Sequence, residues 1–395
     1  MFRIHMKMLK MYTVEIINTV SNLDKDQWDG LGDSPFSSYG WLKTVEETYP
    51  HDIEQRYILV KSRQRLVGGA VYYIAGKNKG VSFVNTELLG QLNHYADKLG
   101  ISFVPAMICG CRGEHLLVDK KCNLREQKAI MNTILGAILN EARKKKLPIC
   151  FPYLDDNEQN LMTCLKKEGF NHTLVIPYNY VDIKWSSFEA YIKDLGKIRK
   201  NMKKSLKREL NRNKKAGVRI EIEKEPGEYE DRIFELINKH YLKHTGAPFP
   251  FKKEFVHQVK ENLGQKCRFY ISWKNGLITG TGFSLIKNGV EYLYLVAVDR
   301  ELAGNDMTFF NICFHVPMIH AISDGLKRID LGLGMVEMKA RYGCDVGNLY
   351  YYYKASDKIS NIASKPWFIF ISKWYQRKNA LSFSKSRPKP KARFK

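Results

Sequence analysis

Apolar and polar residues alternate over short runs in two separate parts of the chain, and turn-forming pairs break the runs. Residues 268–274, 277–286 and 290–298 read as strands, divided by Asn275-Gly276 and Asn288-Gly289. An Asn-Gly pair between apolar runs predicts a two-residue hairpin loop, because both central positions need positive φ and these two residues tolerate it best. The three runs therefore form an antiparallel meander. The first half holds a second one: residues 56–60 and 66–74 pair across "KSRQR", and residues 76–80 turn into a short run at 81–84. "RLVGGAVYYI" and "GLITGTGFSLI" share a pattern 211 residues apart, as in a duplicated domain and not a solenoid.

Each meander is followed by a strand–helix–strand pattern. In the first half the strand is 102–108 and the helix is 124–145. Asn123 and Glu126 form its capping box, and Ile130, Ile134, Ala137 and Ile138 form its apolar face. Residues 148–154 make the next strand. In the second half, 290–298 feeds a helix at 307–323, which Gly325 ends and Pro317 kinks. Residues 328–333 then return as a strand. The crossovers predict β-α-β units with parallel pairs, so the fold class is α/β with mixed sheets. A further helix at 34–48 opens on Ser-Pro.

Between the halves, Phe188, Ile192, Leu195, Ile198, Met202, Leu206 and Leu210 recur at three- and four-residue steps. They predict one amphipathic helix over 187–215, started by a Ser186–Glu189 capping box and stopped by Gly217. Its other face carries eleven Lys and Arg between Lys193 and Lys215 against two acids. An ordinary exposed helix mixes signs, so this face is expected to meet an anion through Arg199, Lys203, Arg208 and Arg212. Apart from Phe188 of the apolar face, Tyr191 is the helix's only aromatic, so the helix would touch phosphates without reading sequence.

Composition narrows the partners. The 395 residues predict two or three domains, and 64 Lys and Arg against 41 Asp and Glu give a net charge of +23. That excess favours nucleic acid, a phosphorylated cofactor, an acidic polymer or a membrane surface. Eight scattered cysteines suit reduced thiols in a cytoplasm. Cys109 and Cys111, near His115 and Cys122, are one residue apart where a zinc knuckle has about two to four, so no metal is expected. Lys7 and Lys10 interrupt the apolar start of the chain, and no run approaches the ~18 apolar residues of a membrane span. A cytoplasmic protein without transmembrane segments is expected. "KPWFIFISKWYQRK" sets Trp367, Phe370, Ile371 and Trp374 beside Lys373, Arg377 and Lys378, as an interfacial helix does, and the basic tail beyond Tyr375 is expected to be disordered.

The order of "SPFSSYGWL", "KIRKNMKKSLKRELNRNKKAGV", "HYLKHTGAPFP" and "GLKRIDLGLGMVEMKARYGC" resembles the tandem-domain, FemAB-like branch of the GNAT acyltransferase superfamily, including its BioF2-like members. The likeness spans about 34–355. It implies two tandem GNAT-like domains, a degenerate one at 1–178 and a catalytic one at 179–360 that includes the basic helix, followed by a segment at 361–395. It also implies acyl transfer to an amine, with acyl-CoA as co-substrate held where the meander's last strand splays from the next parallel strand. On this chain those positions are Val296, Ala297 and Val298. The pyrophosphate would sit on helix N-terminal amides at Gly304, Asn305, Asp306, Met307 and Thr308.

One departure bears on the donor. The superfamily loop is Arg/Gln-x-x-Gly-x-Gly/Ala, whereas here "DRELAGNDMTFF" offers only Gly304 in place, and Asp306 is a natural N-cap whose carboxylate would fill the phosphate's seat. Fem-type enzymes take their acyl group from aminoacyl-tRNA, so tRNA is the rival donor, with a cell-envelope precursor as acceptor.

Amine attack needs a base, an oxyanion donor and a proton for the leaving group. The resemblance puts Lys339 and Tyr342-Gly343 in the Fem-type pattern. Glu337 is the candidate base, Lys339 the anion or oxyanion group and Tyr342 the proton donor, against the alternative of an ordinary surface loop. His240 and His244, read as lying in a loop after a helix, could line the acceptor cleft. A non-catalytic adaptor that binds anions or membrane surfaces is the reading from another class.

Overall fold

Asn275 and Gly276 adopt φ of 52° and 75°, and Asn288 and Gly289 adopt 53° and 78°, so both expected hairpin turns form. The computed structural model describes residues 12–49, 53–75, 107–198, 201–223 and 227–386. The chain forms two compact units, one of Met1–Val175 with Asn348–Gln376 and one of Ile176–Gly347 with Arg377–Lys395.

The first unit is built on β1 (Thr13–Ile17), β2 (Ile53–Ser62), β3 (Arg65–Ala75), β4 (Met107–Cys109), β5 (Leu117–Val118), β6 (Ile149–Asp155), β7 (Asn171–Leu174) and β15 (Leu349–Lys354). The sheet order is β1-β2-β3-β4-β6-β15-β7, with β5 against β3. β4 runs parallel to β6, as a crossover through the helix between them requires. Of the expected strand at 102–108, residues 107–108 fall in β4, and 102–106 lie outside the described residues. The turn at 76–80 and the run at 81–84 lie outside the described residues. Helix α1 (Tyr39–Thr48) follows a short 3-10 turn, α2 (Leu124–Lys145) has the expected capping box, and α3 (Gln159–Lys167) follows β6. Gly68 and Gly69 of β3 face opposite sides of the sheet. A Cβ on Gly68 would lie 2.3 Å from Ile130 of α2, and one on Gly69 would lie 2.6 Å from the Trp28 ring. Neither approach leaves room for a side chain.

The second unit holds β8 (Tyr178–Asp182), β9 (Arg219–Glu223), β10 (Cys267–Lys274), β11 (Leu277–Lys287), β12 (Val290–Val298), β13 (Arg328–Leu333) and β14 (Asp345–Gly347). Their order is β14-β8-β13-β12-β11-β10-β9. The basic segment is two helices, α4 (Phe188–Ile198) and α5 (Met202–Lys215), where one was expected. A Cβ on Gly196 would lie 3.5 Å from that of Lys203. Seven residues along one straight helix would separate them by about 10.5 Å, so α5 folds back on α4. Next come α6 (Glu230–Thr245) and α7 (Phe255–Leu263).

After β12 the expected kinked helix is resolved into a turn at Thr308–Phe310, a π-turn at Asn311–His315, and α8 (Val316–Ser323). The Val316 N–H reaches back five residues to the Asn311 carbonyl. Pro317 has no N–H to give the preceding turn, and the wider turn takes up that missing bond. Helix α9 (Val336–Arg341) follows β13, and α10 (Lys358–Ser386) continues eleven residues past Tyr375, so the tail described through Ser386 is helical where disorder was expected.

A buried histidine marks the first unit. His115 Nδ1 lies 2.8 Å from Glu158 Oε2, and Nε2 lies 2.5 Å from the Pro152 carbonyl oxygen. Both ring nitrogens face acceptors, so both carry hydrogen and the ring is held as imidazolium. Burial alone would lower its pKa, but the Glu158 carboxylate and the Pro152 carbonyl outweigh burial and the net direction is up. A folded-state pKa above the unfolded one gives stability that is full below the unfolded value and lost as pH rises through the folded one. The melting temperature of the full chain should therefore fall as pH rises from about 6.5, the ordinary imidazole value, into the alkaline range. His115→Gln should flatten that fall; an equally steep fall in the variant would assign it to other groups.

Candidate functional site

β12 and β13 are hydrogen-bonded partners only at Val290↔Arg328, Glu291↔Ile329 and Tyr292↔Asp330. Beyond those pairs the strands part. The register of β12 against β11 also jumps there, from Ser284↔Leu293 to Phe283↔Leu295, so Tyr294 is an extra, bulged residue. Val296, Ala297 and Val298 lie in this splayed part. They keep their ladder to Gly282, Thr281 and Gly280 of β11 on the other side.

The end of β13 needs other partners for its backbone, and side chains supply them. Lys339 Nζ donates to the carbonyls of Leu331 at 2.7 Å, Gly332 at 3.3 Å and Leu333 at 2.8 Å. Asn179 Nδ2 donates to Gly332 at 3.0 Å and Gly334 at 2.9 Å. The Gly332 N–H donates to Asp330 Oδ1 at 2.7 Å. These bonds hold a sharply turned backbone, with φ of 76°, 68° and 54° at Gly332, Gly334 and Met335. Lys339 is 3% exposed and directs its ammonium at its own chain. The sequence led us to expect that ammonium at a substrate anion or oxyanion; here its hydrogens go to these three carbonyls. Glu337 is half-buried in the first turn of α9.

Tyr342 ends α9 and belongs to a buried cluster. Its hydroxyl donates to Glu209 Oε2 at 3.0 Å, and His315 Nε2 lies 2.9 Å from the same oxygen. Its ring stacks on Phe314 with centroids 4.2 Å apart, and its carbonyl accepts from the Tyr191 hydroxyl at 2.7 Å. Burial, and then the Glu209 carboxylate, push the Tyr342 pKa far above the ordinary phenol value, so it stays protonated. Burial pushes the nearby Cys313 thiol up to about 11 against the opposing pull of Lys339, so it is no thiolate nucleophile. His315 is in the π-turn, and Glu209 is on the inward face of α5 beside Leu206. Sequence reasoning missed both. Glu209 was visible only as one of two acids in a basic stretch, and the π-turn that aims His315 has no sequence signature.

α5 is clasped to the same segment one turn further on. Asn213 Nδ2 donates to the Asp306 carbonyl at 3.2 Å and to Thr308 Oγ1 at 3.3 Å. Lys203, Arg208 and Arg212 are exposed on its other face, whereas Arg199 lies outside the described residues.

The loop expected to hold a pyrophosphate is filled from within. Asp306 is 4% exposed, and its Oδ1 accepts from the Thr308 N–H at 3.0 Å. Lys274 Nζ lies 3.1 Å from Asp306 Oδ2 and also donates to the Leu302 and Ala303 carbonyls at 3.2 and 3.1 Å. Gly304, at φ of 60°, and Asn305 are exposed at the tip, and Met307, at φ of 69°, is half-buried. The expected free N–H at Thr308 is thus already bonded to a carboxylate.

His240 and His244 lie in the last turns of α6 and not in a loop, because the helix stops only at Gly246, with φ of 74°. Their rings are 4.4 Å apart. Burial, then the charges of His244, Arg300 and Lys243, hold His240 down to about 4, so it is neutral near pH 7. α6 and α7 cover the sheet face onto which Phe283 points, stacking with Phe269 and meeting Phe255. The adjacent Gly282 faces Ile312 of the π-turn on the opposite side. The two histidines are therefore not brought to the Glu209 cluster. Among the described residues, no group of three or more His, Cys, Asp or Glu could hold a metal ion.

Residues 19–362 match the FemAB-like family model, described as peptidoglycan biosynthesis/recognition. No curated protein matches the sequence. Among solved structures, the chain is similar to FemX at 12% identity and a TM-score of 0.55, covering 86% of this chain and 96% of that one. It is similar to the C-terminal DUF2156 domain of a protein assigned as a lysylphosphatidylglycerol synthetase from Agrobacterium fabrum, at 11% identity and a TM-score of 0.55, covering 88% and 95%. A tandem GNAT protein from the clavulanic acid biosynthesis pathway is similar at 12% identity and a TM-score of 0.51, covering 88% and 99%. At these identities the likeness is one of fold: tandem GNAT-like units.

Lys339→Met should lower stability by about 3 kcal/mol, since it strands buried carbonyls that the ammonium now satisfies. Denaturant unfolding of the full chain reads this out. A variant as stable as the parent would show that the strand end does not depend on the lysine.

Proposed function

The chain belongs to the FemAB-like family, and from that premise we propose that it transfers an aminoacyl group from tRNA to an amine of a cell-envelope precursor. The observation that carries the choice of donor is the Asp306 carboxylate on the Thr308 N–H, with Lys274 beside it. A helix N-terminus binds phosphate through free amides and the dipole. A CoA pyrophosphate would have to displace a buried carboxylate from its amide and its lysine. Acyl-CoA, the other donor expected, has in its favour only the splay of β12 and β13, which an ester-borne acyl group could use equally well. The exposed cations of α5 suit a long phosphate backbone.

In this reading the acceptor nitrogen attacks the ester carbonyl of the aminoacyl group. The N–C bond forms, the C–O bond to the ribose breaks, the attacking amine loses a proton and the ribose oxygen gains one. Glu209 and His315 form the proton-holding pair, and Tyr342 keeps its hydrogen on the shared Glu209 oxygen. Lys339 acts by positioning the β13 end, not by touching the reacting atoms, and Glu337 stands at the same strand end as the remaining candidate base.

Glu209→Gln should lower turnover on the order of 10²-fold and alter the pH profile of kcat. For the donor, full-length protein should bind charged tRNA with a log–log salt slope of roughly −0.7 to −0.9 per phosphate contact, reduced when Lys203, Arg208 and Arg212 are changed to Gln. Acetyl-CoA should give no saturable heat in calorimetry. Micromolar acetyl-CoA binding with acceptor-dependent release of free CoA would refute the tRNA reading and restore the thioester.

A further inference from the structure

α10 is held to the first unit by one side only. Phe368, Ile371 and Tyr375 are buried, and Phe368 stacks on Tyr353 of β15 with centroids 5.6 Å apart. Asn171 Nδ2 donates to the Asn361 carbonyl at 2.7 Å and to Ser364 Oγ at 2.9 Å, and Asn361 Nδ2 donates to the Gly169 carbonyl at 2.9 Å. The opposite side is apolar as well. Ile359 is 82% exposed, Ile362 61%, Ile369 49%, Phe370 57% and Trp374 45%. At 100° per residue these five fall in an arc of about 140° that faces away from the buried side chains. The helix does not need them in order to dock, and five large apolar side chains in one continuous exposed stripe are uncommon on a free surface.

The charge around the stripe is of one sign. Lys358, Lys365, Lys373, Arg377 and Lys378 lie along the same helix, and no Asp or Glu occurs from Lys358 to Lys395. A helix that is apolar along this face and whose own charges are all cationic complements a layered partner: hydrocarbon beneath a plane of phosphates. Trp374 places an indole at one end of the stripe, a ring suited to that boundary. Among the described residues no helix is long and apolar enough to cross a membrane, which leaves the in-plane orientation.

We infer that the outer face of α10 lies in the surface of an anionic lipid bilayer, with the five apolar side chains below the headgroups and the lysines at the phosphates. This inference is independent of the acyl-transfer reading. The test uses the full chain and sedimentation with vesicles of phosphatidylcholine alone or mixed with phosphatidylglycerol. Binding to the mixed vesicles, weakened by salt, with a blue shift in tryptophan emission, is the expected result. The triple variant Ile362→Ser, Phe370→Ser, Trp374→Ser should keep the parent's melting temperature and lose partitioning on the order of 10²-fold. Lys365→Glu with Lys373→Glu should weaken binding to the mixed vesicles specifically, and it serves as the second probe if the triple variant melts early. Wild-type protein left in the supernatant with both vesicle types would overturn the inference. So would binding that neither variant reduces. Concentration-dependent dimers that the triple variant dissociates, without vesicle binding, would instead make the stripe an interface between copies.

Discussion

Where two neighbouring strands part inside a fold, their backbone groups lose one another and must find other partners, since a buried carbonyl without a hydrogen bond costs about 1–3 kcal/mol. β12 and β13 part after three residue pairs. The opening persists because Lys339, Asn179 and Asp330 take over the bonds that a continuing ladder would have made. The features gathered in the second unit hang on this substitution. It fixes the turned end of β13, from which α9 starts, and α9 in turn delivers Tyr342 to Glu209. Lys339 is thus a residue whose charge serves its own backbone, while the Tyr342 hydroxyl meets a carboxylate, and beside it an imidazole, brought in by other elements.

Much of the architecture was legible in local pattern. The Asn-Gly turns, the capping box at Asn123 and the stop at Gly325 depend on interactions within a few residues, and local sequence encodes them. The glycines of "RLVGGAVYYI" and "GLITGTGFSLI" marked the two equivalent middle strands, and Gly68 and Gly282 indeed admit Ile130 and Ile312 onto the sheets. Less of the site was legible. Tyr342 could be singled out by motif, but its partner Glu209 lies 133 residues away on a helix whose cationic residues drew attention to the other face. Strand-end position, likewise, says nothing about where the Lys339 ammonium points. The break between α4 and α5 went unseen because the apolar steps continue through it.

The Asp306–Lys274 pair fills the loop after β12 from within. A helix start with free amides is a generic anion seat; the same start with its own carboxylate is a closed structure. In the first unit the start of α2 is likewise closed, by Asn123 and Glu126. Both meander-plus-helix units therefore satisfy their helix starts from their own sequence.

β15 has a consequence for how the molecule comes into being. Among the described residues β7 has no ladder partner except β15, and β15 also completes β6. The first sheet therefore waits for residues 349–354, which leave the ribosome only after every strand of the second sheet has been synthesised. Until then β6 presents a bare edge and β7 stands alone, the kind of unpaired strand that invites wrong partners. The second unit's sheet takes all its strands from residues 178–347, so it needs no later strand and can form while the first is still unfinished. The chain thus closes its first-made half last, and a truncation before Leu349 would leave that half, not the half nearer the cut, without its sheet.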